Sequence, residues 1–306
     1  MIAVAVAALA RRPVVVPAYV REPALVLLGF SMGAAVTPAS LASAASWPAS
    51  LALLAVCVVT VIALGTFWLE RRYGWDPLTA RFSAVPGSMA YIVTLAAGSR
   101  ADLTRVALAQ SVRLFTLVAV MPWLLTRLFP VGAAAAPPTV TGLDPLDLGQ
   151  AVVATLAGAL LFRQFRLPGG VLLGAMAGSA LAHGTGLSSA HLPDPIVTVG
   201  LLLLGAAIGA RFAGASLTAL RATVRSALEI VALALAVSAA FAGLGAALLG
   251  LPFDQLWLAF APGGLDAMTV LAFTLDLDPA FVGTHHFARF IGISLLAPLW
   301  LRSWLR

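Results

Sequence analysis

Lysine is absent from this 306-residue chain, cysteine occurs once, and charged residues make up only 10 % of the positions. An average soluble domain carries roughly 25 % charged residues. Hydrophobic residues account for 61 % of the chain, and the mean hydropathy is +1.02. A soluble domain of about 300 residues buries only about 75 % of its surface, too little to hide this much apolar area. The composition therefore excludes a cytosolic globular enzyme, a disordered chain and a disulfide scaffold, and predicts an all-α polytopic membrane protein.

Sequence signals for cofactors and nucleic acid are also missing. The single cysteine, Cys57, lies inside an apolar run, so no internal disulfide can form. No glycine-rich phosphate loop occurs, which argues against an ATP-driven pump. No HxxxH, ExxH or CxxC spacing occurs, whereas a monooxygenase needs two or three well-placed ligands for copper or iron. The net charge of +6 comes with scattered arginines and no aromatic-basic stripe. We therefore expect no metal, no cofactor and no direct nucleic-acid binding.

Apolar segments long enough to cross a bilayer, about 20 residues each, recur along the chain. The first ten residues are also apolar and precede two arginines, which predicts an interfacial or partial helix. Two further apolar stretches, Asp76–Gly98 and Asp254–Leu275, are interrupted at Pro86-Gly87 and at Pro262-Gly263-Gly264. The eight candidate spanning helices are Pro23–Thr37, Trp47–Leu69, Leu103–Leu125, Leu146–Phe162, Gly169–His183, Pro195–Arg211, Ser226–Leu249 and Pro279–Leu301.

The arginines sort these segments by side of the membrane. Cytoplasmic loops are enriched in arginine and lysine. Arginines lie around residues 11–21, 71–72, 100–105, 163–166 and 211–225 and at the C-terminus, whereas residues 38–46, 129–145, 184–194 and 250–254 contain none. The alternation is consistent if both interrupted stretches enter the membrane and return to the same side. We therefore predict about eight spans, two re-entrant segments and two cytoplasmic termini.

Parts of the chain match each other when the sequence is aligned with itself so that Pro86 falls on Pro262. This shift is the repeat offset. The scarce residue types match best: Gly87 falls on Gly263, and Asp102, Arg113 and Pro122 fall on Asp278, Arg289 and Pro298. Arginine-bearing loops of one copy match neutral or acidic loops of the other, so the copies are predicted to have opposite orientations. The first copy carries three spans and the second five, because the counterpart of Leu146–His183 would lie at or before Met1. Inverted repeats with helices broken near mid-membrane are typical of secondary transporters.

The two interruptions form the first part of the predicted binding site. Proline cannot donate a backbone hydrogen bond, and glycine weakens a helix by about 1 kcal/mol relative to alanine. Loose backbone at membrane depth survives only when it is buried in protein or lines a wet cavity, and a helix beginning after a break points its positive end at that cavity. The alternative is a kink without a ligand. The candidate binding residues here are Pro86, Gly87, Ser88, Pro262, Gly263, Gly264 and Asp266, the last suited to a cation or a proton.

Two arginines near the middle of predicted spans complete the site. A buried arginine is costly in a bilayer and is usually paired or functional. His285 and Arg289 are four positions apart and so share a helix face, while His286 precedes Arg289 by three positions, the spacing of Gln110 and Arg113. The binding residues Gln110, Arg113, His286 and Arg289 predict a cationic site for an anionic substrate, with a histidine that titrates near neutral pH. Alternatively, each arginine holds carbonyls freed by the breaks or pairs with a carboxylate, for which Asp266 and Glu229 are the candidates.

The C-terminal stretch APGGLDAMTVLAFTLDLDPAFVGTHHFARFIGISLLAPLWLR resembles the signature of the AbrB-type membrane protein family: a PGG, an apolar run, an acidic loop, a helix with His or Gln, an arginine and a late proline. The stretch VPGSMAYIV…RADLTRVALAQSVRLFTLVAVMPW resembles the duplicated unit, with PGS in place of PGG, and LPGGVLLGAMAGSAL resembles the early helix of that family. The resemblance covers essentially the whole chain. It implies the duplicated membrane fold, with both Pro-Gly segments and both arginines as shared positions. It does not select an activity, because members are labelled transporter, regulator of gene expression or ammonia-monooxygenase-like.

Four parts follow one another along the chain: an N-terminal interfacial segment at 1–22, a first repeat at 23–128, a linker loop at 129–145 and a second repeat at 146–306. We predict an integral protein of the bacterial cytoplasmic (inner) membrane that is a secondary transporter of a small, anionic solute rather than an enzyme. The alternative is a membrane-embedded regulator of gene expression acting through a partner protein, followed by a membrane monooxygenase. Expected partners are the lipid bilayer and a small-molecule or ion substrate, with a second copy of the chain as a further candidate.

Overall fold

Helices make up all of the regular structure in the residues that a computed structural model describes, 1–10, 16–36, 47–87, 89–129, 144–167, 170–210 and 216–304. No strand occurs within those ranges. The 13 α-helices there are α1 (Ile2–Leu9), α2 (Ala18–Ala34), α3 (Trp47–Tyr73), α4 (Pro77–Ala84), α5 (Met89–Ala97), α6 (Leu103–Leu128), α7 (Pro145–Gln164), α8 (Gly170–Gly184), α9 (Asp194–Gly209), α10 (Leu217–Leu249), α11 (Phe253–Phe260), α12 (Leu265–Thr274) and α13 (Pro279–Trp304).

Four of these helices, α3, α6, α7 and α10, are long and apolar enough to cross a membrane. Three more, α8, α9 and α12, are shorter apolar helices. A helix satisfies its backbone hydrogen bonds internally, which a segment in hydrocarbon must do. The predicted all-helical class is confirmed for the described residues, and the helices are compatible with a membrane protein. The total of eight spans stays a prediction.

Each predicted span coincides with a helix, and the largest difference lies at the start of α10. This helix begins at Leu217, well before the predicted start at Ser226. The Ser216 hydroxyl accepts a hydrogen bond from the Ala219 N–H at 3.5 Å, which caps the earlier start. The first span likewise begins early, at Ala18, with Pro23 inside the helix. Three predicted span ends lie outside the described residues: Thr37, Gly169 and Arg211.

Both predicted interruptions separate two helices. The residues around Pro86-Gly87 lie between the end of α4 at Ala84 and the start of α5 at Met89. Residues 261–264 lie between the end of α11 and the start of α12. Proline lacks the N–H that would continue the hydrogen-bond ladder. The interruptions are therefore confirmed as helix breaks, whereas their re-entry from one side of a membrane stays a prediction.

Helix boundaries recur at the repeat offset that relates the sequence to itself. The short helices α4 and α11 match at both ends, and so do the long helices α6 and α13. The last residues of α3 and α10 also match, and each helix is followed by a glycine with a positive φ, Gly74 at 62° and Gly250 at 67°. Glycine adopts this left-handed conformation without steric cost and so terminates both helices.

The described chain divides into two compact units. Unit 1 comprises Met1–Trp47, Leu125–Ala213 and Asp266–Thr284. Unit 2 comprises Pro48–Leu124, Gly214–Leu265 and His285–Arg306. Both helix breaks and both candidate arginines belong to unit 2, whereas most of α12 belongs to unit 1.

Glycines let the helices of unit 1 approach at backbone distance. A Cβ added at Gly158 of α7 would lie 2.1 Å from the carbonyl oxygen of Gly174 in α8. On the other side of α8, a Cβ at Gly33 of α2 would lie 2.4 Å from the Cβ of Ser179. The Ser179 hydroxyl donates to the Phe30 carbonyl at 2.7 Å, which ties α8 to α2. Any side chain larger than hydrogen at these glycines forces the helices apart.

The same close contact joins α1 to α9. A Cβ at Gly209 would lie 2.4 Å from the Met1 carbonyl oxygen and 3.0 Å from the Val4 Cβ. At Gly33, the counterpart of Gly209 at the repeat offset, the matching distances are 2.5 Å to the Met176 carbonyl oxygen and 2.4 Å to the Ser179 Cβ. The same atom types thus meet both glycines.

In unit 2, α10 holds the short helix α11 in the interior. The Trp257 indole N–H donates to the Leu235 carbonyl at 3.2 Å. A Cβ at Gly245 would lie 3.0 Å from a methyl group of Leu256, so the two helices are in close contact there. Every residue from Leu256 to Phe260 is buried. The second break, which follows α11 directly, is therefore placed inside the unit.

Candidate functional site

The first break is held by two side chains of α6. Arg113 Nη1 donates to the Val85 carbonyl at 2.9 Å. Gln110 Nε2 donates to the carbonyls of Phe82 at 2.7 Å and Val85 at 3.2 Å. Arg113 Nη2 in turn donates to Gln110 Oε1. The arginine and the glutamine therefore act as one unit that binds the free carbonyls at the end of α4.

The second break is held by two side chains of α13 in the same way. Arg289 Nη1 donates to the Ala261 carbonyl at 2.7 Å, and Nη2 donates to the Gly263 carbonyl at 2.6 Å. Arg289 Nη2 also lies 2.8 Å from His286 Nδ1, and His286 Nε2 lies 3.1 Å from the Leu258 carbonyl oxygen. Both arginines thus donate to carbonyls that the breaks leave without helical partners.

Proline explains why these carbonyls need donors from elsewhere. In an α-helix, each N–H donates to the carbonyl four residues earlier. Pro86 and Pro262 have no N–H, so the carbonyls of Phe82 and Leu258 lose that partner. Gln110 and His286 supply the missing bonds, each from a position 28 residues further along the chain. The two arrangements are thus related residue by residue through the repeat offset.

Both arginines are buried cations that leave some N–H donors unused among the described residues. Arg113 is 6 % exposed and Arg289 is 7 % exposed. The ion pairs between described residues involve Arg105, Arg163 and Arg225, and neither buried arginine takes part in one. A guanidinium carries five N–H donors. Within the described part of the chain, the bonds above use two donors of Arg113 and three of Arg289.

Each break lies against the arginine-bearing helix of the other copy of the repeat: the first break against α13 and the second against α6. A Cβ at Gly87 would lie 3.4 Å from Ile293 of α13, and one at Gly264 would lie 3.0 Å from Leu114 of α6. The Tyr91 hydroxyl of α5 donates to the Ser294 carbonyl of α13 at 3.1 Å. The breaks and the arginines therefore form one polar centre in unit 2.

The neighbouring groups take different partners. His286 contacts Arg289, while His285 Nε2 lies 2.8 Å from the Ser50 hydroxyl. Glu229, one of two carboxylates considered as partners of the buried arginines, instead accepts from exposed Arg225 at 3.2 Å and from the indole of Trp68 at 2.9 Å.

The remaining candidate residues differ in how deeply they are buried. Pro86, Pro262 and Gly263 are buried, while Gly87 and Gly264 are half-buried. Asp266 lies half-buried in the first turn of α12 and belongs to unit 1. Ser88 lies outside the described residues.

Several polar groups of unit 2 were not predicted from the sequence. Ser50 is completely buried and shares a hydrogen bond with His285, which is completely buried as well. Cys57, assigned only a packing role from the sequence, is completely buried in α3. The hydroxyls of Ser83 and Ser294 are buried without a hydrogen-bond partner among the described residues. No sequence signal marks these residues, because single serines and cysteines in apolar helices usually serve packing.

No group of three His, Cys, Asp or Glu side chains that could hold a metal ion occurs within the described ranges. The fold and the paired arginine centre define the class as an all-helical protein of membrane type with two interrupted helices. The chain belongs to the AbrB family, whose model, described as "Transition state regulatory protein AbrB", matches residues 1–305.

Two curated proteins are similar to the chain over most of its length. "Putative regulator AbrB" of Escherichia coli is 30 % identical over 263 residues, which cover 83 % of this chain and 74 % of that protein. "Uncharacterized protein YhjN" of Bacillus subtilis is 26 % identical over 274 residues, which cover 83 % of this chain and 70 % of that protein. No solved structure shows a significant match.

Proposed function

We propose that the protein is a secondary transporter of a small anionic solute in the bacterial cytoplasmic membrane, and that it works by alternating access rather than as an enzyme. The observation that carries the proposal is the pair of buried arginines, Arg113 and Arg289, at two helix breaks. Buried charges need a partner, and intramembrane ionisable residues are commonly part of substrate or ion pathways. An anion supplies both the negative charge and the acceptors for the unused N–H donors.

The inverted repeat predicted from the sequence is compatible with alternating access. Several helix boundaries, the contacts of Gly33 and Gly209, and the bonds from Arg113 to Val85 and from Arg289 to Ala261 recur at the repeat offset. The arginines of the loops alternate between the copies, which indicates opposite orientations in the membrane with both termini in the cytoplasm. In transporters with inverted repeats, the substrate binds at the repeat interface near the bilayer midplane, where discontinuous helices meet. Rocking of one repeat against the other would then open the centre to each side in turn.

The helix that follows the first break favours an anion more than the helix that follows the second. The N-terminus of a helix carries a partial positive charge and free N–H groups. α5 has no acidic residue in its first turn, whereas α12 has Asp266 there, which already offsets the positive end. α5 also belongs to unit 2 together with both arginines. We therefore place the anion nearer to the first break.

Reconstituted uptake tests this proposal. We expect proteoliposomes to accumulate at least one of acetate, succinate, citrate, phosphate and sulfate when an inward proton or sodium gradient is imposed. Choline, a small cation, should not accumulate, because the buried arginines repel it. Radiolabelled flux is compared with that of protein-free liposomes under the same gradient. Gradient-independent leakage alone for every anion of the panel would count against transport.

The name of the Escherichia coli relative supports a second candidate, a membrane-embedded regulator that changes gene expression through a partner. The chain has scattered arginines and no DNA-binding motif, so a soluble protein would have to carry the signal. Purification from membranes discriminates the two functions. Stoichiometric recovery of one soluble protein, combined with no anion flux, would favour the regulator.

A further inference from the structure

His286 has one ring nitrogen facing an acceptor and the other facing a donor. Nε2 lies 3.1 Å from the Leu258 carbonyl oxygen, which can only accept, so Nε2 carries the proton. Nδ1 lies 2.8 Å from Nη2 of Arg289, which can only donate, so Nδ1 carries none. The residue is 1 % exposed, so bulk water does not compete for either nitrogen. The geometry therefore requires neutral His286 with the proton on Nε2.

We propose that His286 is the proton-coupling residue of the polar centre: proton binding at Nδ1 releases Arg289 from the second break. A proton on Nδ1 would point at an N–H of Arg289 and place two cations side by side. The bond between them is then lost, and Arg289 or the ring must move. We call the second break clamped when Arg289 holds the carbonyls of Ala261 and Gly263. A clamped second break and a protonated His286 exclude each other. This inference rests on the proposed transport function, for which it names the coupling ion.

The position equivalent to His286 in the first copy is occupied by Gln110, whose amide cannot titrate. Gln110 Oε1 accepts from Arg113, and Gln110 Nε2 donates to the carbonyls of Phe82 and Val85. The glutamine thus presents the same acceptor and donor as neutral histidine does. Because an amide has no titration in the physiological range, the first break stays clamped at all pH values. Proton sensitivity is therefore confined to the second break.

The charged and titratable groups around His286 are cationic or neutral. Arg289 and His285 share α13 with it, and Arg289 Nη2 lies 2.8 Å from its Nδ1. Arg113 of α6 adds to the positive charge of the centre, while α3 contributes buried Cys57 and Ser50. A bound anion reverses this balance. Proton and anion therefore favour each other's binding, as linkage requires, and the predicted coupling is symport of one proton with the anion.

Hydrogen exchange of the full chain in lipid nanodiscs tests the switch without knowledge of the substrate. The clamped state excludes the proton, so it is favoured at high pH and lost as the pH falls. With an ordinary histidine pKa in the released state, lowering the pH from 8 to 5 favours release by up to roughly 30-fold. We expect exchange of residues 253–264, corrected for its intrinsic pH dependence, to rise towards that limit, while residues 77–87 do not respond.

Three variants separate His286 from its surroundings. His286→Gln should abolish the pH response of residues 253–264, because it places at the second break the same residue type that Gln110 provides at the first. His285→Gln should leave the response intact, and Gln110→His should create one in residues 77–87. An unchanged response in His286→Gln, or no response in the unmodified chain, would overturn the proposal. If the switch behaves as described but no anion of the uptake panel moves, the proton switch stands and transport is wrong.

Discussion

Replacing Arg289 with glutamine should lower anion uptake and the stability of the chain together. The variant loses the cation and leaves the carbonyls of Ala261 and Gly263 without their donors. A hydrogen bond to a charged group contributes about 1.5–3 kcal/mol, and a loss of about 3 kcal/mol corresponds to roughly a 100-fold drop in binding. We expect uptake to fall by about that factor, and the chain to unfold at a lower temperature in detergent.

The stability of the arginine variants should follow the number of carbonyls that each arginine holds. Arg113→Gln removes one carbonyl contact, at Val85, and should destabilise the chain less than Arg289→Gln. Arg289→Lys keeps the charge but not the planar fork, so it should retain part of the stability and little of the uptake. Arg225→Gln is the matched control, because the Arg225 side chain is 73 % exposed and its ion pair contributes at most about 1 kcal/mol. Equal stability and uptake in Arg289→Gln and Arg225→Gln would contradict a functional role for the buried centre.

Replacing Gly158 with alanine should be among the most destabilising single-methyl changes in unit 1. The new Cβ would lie 2.1 Å from the Gly174 carbonyl oxygen and 3.0 Å from the Gly178 backbone nitrogen. Neither atom belongs to a flexible side chain, so α7 and α8 must separate along their contact. Overpacking of this kind costs about 1–3 kcal/mol and occasionally more. Thermal unfolding followed by size-exclusion chromatography should show a clear decrease in the unfolding temperature.

Gly149→Ala, on the same helix, is the control for that change. A Cβ at Gly149 meets nothing within 4 Å. Alanine is favoured over glycine in a helix by up to about 1 kcal/mol, so this variant should be as stable as the parent or more so. If Gly158→Ala and Gly149→Ala unfold at the same temperature, the close contact between α7 and α8 is wrong.

The breaks and the arginines could be predicted from the sequence because their physical causes are local. Pro86 and Pro262 lack an N–H wherever they stand, and a guanidinium in the middle of an apolar segment always needs partners. The identity of those partners could not be predicted. The carbonyls of Val85 and Ala261 lie 28 residues before the arginines that hold them. Which carbonyl faces which side chain depends on how the helices pack.

The histidines show the limit of arguments from helical spacing. Residues three and four positions away both lie near the face of Arg289, so spacing alone could not choose between His286 and His285. Packing against other helices decides: the Leu258 carbonyl of α11 holds His286, while Ser50 of α3 holds His285. The equivalence of His286 and Gln110 at the repeat offset was the better signal.

The boundary of α10 shows a different limit. The apolar segment begins near Ser226, but the helix begins at Leu217. A helix continues as long as its backbone bonds are favourable, and polar residues such as Arg221 and Arg225 have good helix propensity. Hydropathy therefore marks the part of a helix that suits the bilayer and not the whole helix.

Accessibility of two equivalent loop positions tests the inverted repeat, on which the proposed transport centre depends. Asp76 and Pro252 are exposed, precede α4 and α11, and are related by the repeat offset. In a Cys57→Ala background, Asp76→Cys and Pro252→Cys are treated with a membrane-impermeant maleimide in intact and permeabilised cells. With opposite orientations of the two copies, Pro252→Cys reacts in intact cells, whereas Asp76→Cys reacts only after permeabilisation. Labelling of both positions from the same side would contradict the inverted repeat.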